Sequence, residues 1–150
     1  MGQQRKKLYL RAAEEDDMML LYRWVNDPIV RQSAFQSKFI SLEEHTAWFF
    51  ETLQNPDINI FILMNGNDAV GQVRVNIESG EQLIDYSVDR EKRGKGYGKT
   101  LLRLLEEVCC REKPLVGRVK FNNTVSQRIF ESLGYEGILE KDCYTYRKYL

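Results

Sequence analysis

The chain has 150 residues, of which 43% are hydrophobic and 29% charged, a balance typical of a soluble globular domain. Its 22 basic and 22 acidic residues cancel, which disfavours a general nucleic-acid or membrane-surface binder, because such proteins need a basic excess. The length predicts one domain over residues 1–150, whose core can fold without a disulfide or a metal.

The cysteines and the N-terminal segment together indicate the cytoplasm. The three cysteines are an odd number, two of them are adjacent, and Cys109 falls on the apolar face of a predicted helix. We therefore expect buried, reduced thiols rather than disulfides. Residues 1–7 are polar and basic and no apolar run follows them, so we expect no signal peptide and no transmembrane helix.

The first third of the chain is predicted to contain one strand and two helices. Leu8-Tyr9-Leu10 reads as a short strand, and residues 14–25 place apolar side chains at helical spacing. That helix should end before Pro28, because the residue before a proline disfavours helical backbone. A capping box, Ser41 to Glu44, begins a second helix that runs to about Gln54. We expect this second helix to bury Leu42, Trp48, Phe49 and Leu53.

The remainder is predicted to be a strand meander followed by a β-α-β-α-β arrangement. Asn65-Gly66 lies between two apolar runs, a strong hairpin signal. The predicted strands cover residues 58–64, 69–78, 83–88, 115–121 and 143–149. A helix with Leu101 to Cys109 on its apolar face precedes the fourth of them, and a helix over 124–133 follows it. This order predicts a mixed α/β layer structure.

The segment between the strand 83–88 and the next helix has the composition of a phosphate site. Gly94, Gly96 and Gly98 allow a tight turn and a close approach of the backbone to a ligand. The helix that follows offers unpaired amide hydrogens and the positive end of its dipole. From residue 90 to residue 99 there is one acidic residue, Glu91, and there are five basic residues: Arg90, Lys92, Arg93, Lys95 and Lys99. We expect a diphosphate ligand here.

The two best-known phosphate loops do not match this segment. A Walker A loop needs Gly-Lys-Ser/Thr after four spacer residues, which is absent. A dinucleotide fingerprint needs G-x-G-x-x-G near the first strand, whereas the spacing here is G-x-G-x-G late in the chain. From the residues alone, a solvated basic turn without a ligand remains the alternative.

Two motifs resemble hallmarks of the GCN5-related N-acetyltransferase (GNAT) family. Arg93 to Gly98 matches its R/Q-x-x-G-x-G/A pyrophosphate loop, and Asn123 to Tyr135 resembles its N-x-x-S/A-x-x-x-Y/F-x-x-x-G-F/Y motif. Their order and the order of predicted elements agree with that family over nearly the whole chain. The resemblance implies a central, mostly antiparallel sheet of six to seven strands with about four flanking helices. It also implies that strands four and five splay apart.

The resemblance further implies acetyl-CoA as the acetyl donor, with no metal. The pantetheine arm would lie between strands four and five, against backbone groups of Tyr86, Ser87 and Val88. The amides that would hold the diphosphate belong to Arg93, Gly94, Lys95, Gly96, Tyr97, Gly98 and Lys99. The other wall would be lined by Asn123, Ser126 and Phe130.

Direct acetyl transfer needs a neutral amine and a proton for the departing thiolate. Many family members supply that proton from a helix tyrosine, but the matching position here is Phe130. The alternatives, besides water, are Tyr86, Tyr144 and Tyr146. The candidate bases, besides water, are Asp85, Glu81 and His45. His45 also suits a packing or substrate-positioning role, so the choice of base stays open.

The residues before the second strand are expected to bind the acceptor. Trp24 and Trp48 could instead pack in the core, and core packing is the favoured role of Phe49. Hydrogen-bond donors beside aromatic faces suit sugars and nucleobases. The residues that offer this combination are Trp24, Asn26, Arg31, His45 and Trp48.

This acceptor region resembles acetyltransferases of amino-sugar nucleotides in pseudaminic-acid and related surface-glycan pathways. It also shares part of its pattern with ribosomal-protein N-terminal acetyltransferases. We therefore predict a small amine acceptor, a nucleotide-linked amino sugar, and a monomer or homodimer that binds neither nucleic acid nor membrane. The alternatives are a protein N-terminal acetyltransferase and a catalytically silent CoA-binding module.

Overall fold

A computed structural model describes residues 7–150; residues 1–6, most of the segment used above to expect no signal peptide, lie outside the described residues. Within that range one sheet has the strand order β1-β2-β3-β4-β5-β7-β6. The strands are β1 (Leu8–Ala12), β2 (Ile58–Asn65), β3 (Asp68–Glu78), β4 (Glu81–Val88), β5 (Leu115–Lys120), β6 (Glu136–Leu139) and β7 (Cys143–Lys148). Among the strands of residues 7–150, only β4 and β5 pair in parallel, and a helical crossover connects them, as parallel neighbours require.

The α-helices of residues 7–150 are α1 (Met18–Val25), α2 (Pro28–Ser33), α3 (Leu42–Leu53), α4 (Tyr97–Val108) and α5 (Thr124–Ser132). The predicted mixed α/β fold with a mostly antiparallel sheet is confirmed, with one helix more than the four expected. None of these helices combines the length and the apolar character that crossing a bilayer requires.

The helices cover the sheet on both sides. We call the side packed by α4 and α5 the α4 face; its core includes Leu101, Leu105 and Phe130 against strand residues such as Val73. We call the side packed by α1 and α3 the α3 face. Its core consists of Leu21, Trp24, Phe49, Ile60, Ile62 and Met64. Because side chains alternate along a strand, each central strand contributes to both faces.

The start of the chain differs from the predicted single helix over 14–25. A 3₁₀ turn, Glu15–Asp17, precedes α1, which therefore begins at Met18. Asp17 accepts a hydrogen bond from the Glu14 amide at 2.7 Å and is held by the Arg11 guanidinium. These contacts fix the turn and delay the α-helix.

Pro28 ends α1 as predicted, but it also begins a helix that the sequence analysis missed. Proline is well suited to the first helical position because its missing N–H would have no partner there. Asp27 caps α2 by accepting a hydrogen bond from the Ile29 amide at 2.9 Å. The result is the short helix α2, which carries Arg31.

The buried side of α3 was wrongly predicted in part. His45, Phe49 and Thr52 are its buried residues, at the i, i+4, i+7 spacing of a helical stripe. Leu42 is 44% exposed and Trp48 37% exposed. Trp48 therefore lies at the edge of α3, where it is available to a ligand.

The edge strand β6 was also missed. Its sequence, Glu-Gly-Ile-Leu, lacks the alternation of apolar and polar residues by which a strand is recognised, and each of its four residues is exposed. It pairs only with β7, from Glu136 opposite Arg147 to Leu139 opposite Tyr144.

The prediction that strands four and five splay apart is confirmed. They pair over three residues each, from Gln82 opposite Leu115 to Ile84 opposite Gly117. Beyond this point residues 85–88 remain paired with β3, and residues 118–120 with β7. The Phe130 ring lies directly on Gly117, where a Cβ would come within 2.3 Å of the ring. A gap therefore opens in the middle of the sheet.

Candidate active site

A cleft of about 890 Å³ is formed around the gap between β4 and β5. On the α4 face its walls are the loop before α4 and the helix α5, including Gly96, Ser126 and Phe130. On the α3 face its walls come from α2, α3 and β3, including Arg31 and Trp48. One ligand can therefore extend from the α4 face to the α3 face through the sheet.

The loop between β4 and α4 turns on two left-handed glycines. Gly94 has a φ of 79° and Gly96 a φ of 82°, which side chains with a Cβ rarely adopt. A Cβ at either position would meet nothing within 4 Å, so this backbone faces open space. Gly96 is the N-cap residue of α4, and the first amides of that helix have no partner within it.

Gly98 has a different role from Gly94 and Gly96. It lies inside α4, and a Cβ there would be 3.0 Å from Ile129 Cδ1 and 3.3 Å from Tyr86 Cε2. The missing side chain lets the first turn of α4 pack against β4 and α5. The third glycine of the motif thus serves packing, whereas the first two serve the turn.

Side chains tie this loop to the helices of the α3 face. Arg93 pairs with Asp27 at 3.3 Å, which connects the loop to the start of α2. Asp89 accepts hydrogen bonds from the Trp24 indole at 2.8 Å and from the Glu91 amide at 2.9 Å. Although burial opposes it, these hydrogen bonds hold the pKa of Asp89 below its ordinary value. Trp24 lines the cleft, but its indole N–H is already hydrogen-bonded to Asp89 of the loop.

Tyr86 and Ser126 meet across the α4 side of the cleft, with 2.6 Å between their hydroxyl oxygens. Asn123 caps α5 by accepting a hydrogen bond from the Ser126 amide at 3.2 Å. Phe130 is 2% exposed, stacks on Tyr146 and presents an edge to Tyr86. Burial raises the pKa of Tyr86 to about 12, against the lowering effect of the Ser126 hydrogen bond, so its phenol is protonated at neutral pH.

The other two tyrosines considered as acids are not among the residues that line the cleft. The Tyr146 hydroxyl donates to Glu131 Oε1 at 3.0 Å. Tyr144 lies edge-on against Phe121. Of the three tyrosines, the structure brings only Tyr86 to the cleft.

Among the candidate bases, Asp85 and His45 line the cleft and Glu81 does not. Glu81 pairs with Arg147 at 2.7 Å. The alternation of β4 sends the Asp85 side chain to the α3 face, where it is 58% exposed. Its Oδ2 lies 3.0 Å from Arg74 Nη2.

His45 is deeply buried, at 2% exposure, between α3 and α1. Its Nε2 lies 2.9 Å from the Met18 carbonyl oxygen. Because a carbonyl oxygen only accepts hydrogen bonds, Nε2 carries the hydrogen in this contact. The ring stacks on Phe49 at 6.0 Å. Burial lowers the pKa of His45, although the Met18 hydrogen bond opposes the shift, so the imidazole is neutral at neutral pH.

The predicted acceptor residues separate into two groups. The Asn26 side chain donates to the Ile40 carbonyl at 2.7 Å and accepts from the Ile40 amide at 2.9 Å. It is not among the residues that line the cleft, and it closes the segment between α2 and α3. Arg31 and Trp48 do line the cleft. Arg31 also holds that segment, since its Nη1 donates to the Gln36 carbonyl at 3.0 Å.

Several cleft residues on β3 and β5 were missed by the sequence analysis. Gln72, Arg74 and Asn76 alternate with the buried Val73 and Val75 along β3, and all three line the cleft. Arg118 of β5 lines it as well. Polar side chains at every second position of a central strand were a usable signal, because they mark the part of the sheet that no apolar helix covers.

Comparison with known proteins places this cleft in a family context. Residues 7–136 match the family model described as the acetyltransferase (GNAT) domain. No curated protein is detectably similar to the chain in sequence.

Several solved structures share this fold at low sequence identity to the chain. One is RimL, a ribosomal L7/L12 alpha-N-protein acetyltransferase in complex with coenzyme A, at 19% identity, a TM-score of 0.83 and 95% and 94% coverage of this chain and of that one. A spermidine N-acetyltransferase from Vibrio cholerae, with CoA and spermine, has 18% identity, a TM-score of 0.80 and coverages of 93% and 92%. An aminoglycoside acetyltransferase with coenzyme A has 20% identity, a TM-score of 0.77 and coverages of 94% and 93%.

The burial of His45 predicts a pH-dependent stability. Its pKa in the fold lies below the ordinary 6.5. As the pH falls, the unfolded chain therefore takes up a proton at His45 before the folded chain does. His45 should make its full contribution to the free energy of unfolding above pH 6.5. This contribution should be lost as the pH falls below that value. Urea unfolding of the wild type and of His45→Gln, followed over this range, measures the effect.

The glutamine variant should have a lower but flatter stability profile between neutral pH and about pH 5. The carboxylates whose pKa values are lowered, Asp17 and Asp89, lose their contributions only below their ordinary 3.8, outside this window. An equal slope in both proteins would contradict the assignment.

Proposed function

Since the chain belongs to the acetyltransferase (GNAT) domain family, we propose that it transfers the acetyl group of acetyl-CoA to the amine of a nucleotide-linked amino sugar. The enzyme class and the donor follow from the family: the protein is an acyl-CoA N-acyltransferase that uses acetyl-CoA. The finer identity of the acceptor is the proposal. Among residues 7–150, no group of three or more His, Cys, Asp or Glu side chains is placed to hold a metal ion.

The α4 side of the cleft fits the donor. We assign its diphosphate to the amides of residues 93–99, because Gly94 and Gly96 leave open space above a turn that leads into a helix N-terminus. Within the described part of the chain, residues 85–88 have a strand neighbour on the β3 side only. Their free backbone groups can bond the amides of a pantetheine arm as a neighbouring strand would.

The remaining donor contacts follow the same arrangement. The backbone of Tyr86, Ser87 and Val88 forms one wall of the proposed pantetheine site, and α5 forms the other. On α5, Asn123 fixes the first turn, Ser126 presents its hydroxyl, and Phe130 supplies an apolar surface. These are the residues that the family resemblance implies for this role.

We assign Tyr86 to the sulfur that leaves when the acetyl group is transferred. Acetyl-CoA supplies the activated thioester. Tyr86 is protonated and lines the cleft, whereas Phe130 has no proton to give. Its pKa of about 12 exceeds that of a free thiol, about 8.5. Tyr86 therefore stabilises the thiolate by donating a hydrogen bond more readily than by transferring its whole proton.

The observation that carries the acceptor proposal is the chemistry of the α3 face of the cleft. Trp48 offers a half-exposed aromatic surface beside the gap. On this face, the charged lining residues that the structure describes are Arg31, Arg74, Arg118, Glu78 and Asp85. Three guanidinium groups against two carboxylates favour an acceptor with anionic groups. An aromatic surface suits its base or sugar ring. A nucleotide-linked amino sugar combines both features.

We also place the enzyme in the cytoplasm. Cys109, Cys110 and Cys143 are all free, with Cys143 buried and the other two half-buried. Free thiols of this kind persist in a reducing compartment.

The acceptor proposal predicts turnover with UDP-linked amino sugars above other amines. CoA release should be measured with these compounds, spermidine, an aminoglycoside and N-terminal peptides. We expect kcat/KM for the nucleotide-linked sugars to exceed that for spermidine and the aminoglycoside by at least about 100-fold, since a polycation meets uncompensated positive charge. Faster turnover of a peptide or a polycation would contradict the proposal. CoA binding without turnover of any amine would indicate a silent CoA-binding module.

The donor site predicts that Gly96→Asp abolishes CoA binding. The variant places a carboxylate on the turn assigned to the diphosphate and strains a left-handed residue. Calorimetric titration with CoA measures the loss. Gly66→Asp is the matched control, because Gly66 also has a positive φ and open space but lies in the hairpin between β2 and β3. CoA affinity should be retained in Gly66→Asp, and retention in Gly96→Asp would refute the loop assignment.

The role of Tyr86 predicts a loss of rate without a loss of donor binding. Tyr86→Phe should lower kcat by about 10- to 100-fold, the range expected for one hydrogen bond to a charged group. The KM for acetyl-CoA should change little. Tyr144→Phe, outside the cleft, is the control and should keep its kcat. An unchanged kcat in Tyr86→Phe would show that Tyr86 does not donate a hydrogen bond to the departing sulfur.

A further inference from the structure

An ion pair lies on the α3 side of the gap between β4 and β5. Arg74 of β3 stands directly opposite Asp85 of β4, and its Nη2 is 3.0 Å from Asp85 Oδ2. Asp85 is the first residue of β4 beyond the last pair with β5, Ile84 opposite Gly117. Its carboxylate is therefore placed where an amine that approaches from the α3 face would reach the gap.

The Arg74 guanidinium is already oriented by other contacts. Its Nε donates to Asn76 Oδ1 at 3.1 Å, and its Cζ lies 5.2 Å from the centre of the Trp48 ring. These contacts do not need Asp85, so the guanidinium keeps its place if the carboxylate turns away. Asp85, in contrast, is 58% exposed and free to reorient.

The geometry of the pair also allows another anion to replace Asp85 at Arg74. It joins Arg74 and Asp85 through one short contact rather than a two-pronged one, and exposed pairs of this kind are weak because water competes with them. An anion that presents two oxygens to the guanidinium makes a stronger contact. Such an anion can displace Asp85 from Arg74.

A second guanidinium adds positive charge to the same place. Arg31 lines the cleft from α2, and its Nε donates to the Val25 carbonyl at 2.6 Å. Burial lowers the pKa of Arg31, and of the nearby charges Asp85 raises it while Arg74 lowers it. Counted together with Arg118 and Glu78, the charged residues on this side of the cleft leave one positive charge uncompensated.

We propose that Arg74 binds the anionic group of the acceptor, a phosphate or a carboxylate, and that this exchange releases Asp85 to take a proton from the acceptor amine. The inference rests on the proposed function, because it names the residues that recognise the acceptor in the same cleft. Arg31 lines the same cleft and adds its charge to the anion site. An acceptor without an anion leaves Asp85 paired and is a poor substrate.

The chemical step balances with this assignment. The amine nitrogen forms a bond to the acetyl carbon as the bond from that carbon to sulfur breaks. The proton lost from the nitrogen goes to the Asp85 carboxylate, and the electron pair of the broken bond stays on the thiolate. Tyr86, on the opposite face, donates its hydrogen bond to that sulfur. Asp85 then returns the proton to solvent through its exposed side.

The test compares acceptors that share one amino sugar and differ in the anionic group attached to it. CoA release is measured with a UDP-linked amino sugar, the same amino sugar carrying a carboxylate, and its uncharged methyl glycoside. The proteins are the wild type, Arg74→Gln, Arg74→Lys and Asp85→Asn. Arg147→Gln is the control for removing an arginine, because Arg147 pairs with Glu81 and is not among the residues that line the cleft.

We expect Arg74→Gln to raise the KM of the anionic acceptors by at least about tenfold, the effect of losing one charged contact. The kcat for the methyl glycoside should stay equal or rise, because Asp85 is no longer held. Arg74→Lys should restore part of the affinity for the anionic acceptors. Asp85→Asn should lower kcat for the anionic acceptors by about 100-fold, the range of general base catalysis, with their KM equal or lower because Arg74 then has no carboxylate to exchange. The methyl glycoside should lose less, because with that acceptor Asp85 stays paired with Arg74 in the wild type.

Two results would overturn this inference and leave the proposed function intact: equal losses for anionic and uncharged acceptors in Arg74→Gln, or an unchanged kcat in Asp85→Asn. Preference for the carboxylate-bearing sugar over the UDP-linked one would identify the anion as a carboxylate, and the reverse preference as a phosphate.

If the wild type acetylates neither anionic acceptor, the proposed function fails, and this inference fails with it. Calorimetry with UDP on the wild type and Arg74→Gln, with CoA present, should show the same loss of affinity without turnover; equal affinity for UDP would also overturn the inference.

Discussion

The limited pairing between β4 and β5 is the constraint on which the rest of the molecule depends. Three residues of each strand pair, and beyond Ile84 the strands separate. The Phe130 ring lies on Gly117, the last paired residue of β5. The backbone groups left without a strand neighbour in residues 85–88 need hydrogen-bond partners. Water or a ligand can supply these partners, and the cleft extends through the gap from one face of the sheet to the other.

Adjacent residues of β4 divide the proposed chemistry between the two faces. Because side chains alternate along a strand, Tyr86 packs toward Phe130 and Ser126 on the α4 face, while Asp85 meets Arg74 on the α3 face. The hydrogen-bond donor for the leaving sulfur and the acceptor of the amine proton are thus held on opposite sides of one strand. Pairing with β3 fixes the backbone from which both side chains project.

The elements that carry strong local signals were predictable from the sequence. The hairpin at Asn65-Gly66 and the glycines before α4 depend on conformations that few residues adopt, so the residue types reveal them. The helix α2 was missed although Asp27 and Pro28 carry a local start signal for it. The buried side of α3 was predicted wrongly in part because it depends on contacts with distant segments, such as that of His45 with the Met18 carbonyl. The Arg74–Asp85 pair joins neighbouring strands, and its register becomes visible only when the sheet is assembled.

The proposed function requires a donor that occupies the gap as a missing strand would. Amide hydrogen exchange followed by NMR, with and without CoA, tests this most directly, because it reports on each backbone N–H separately. We predict that CoA slows exchange in residues 85–88 and 93–99, while Gln82 to Ile84, already paired with β5, change little. Protection confined to other parts of the chain, with both of these segments unaffected, would contradict the account.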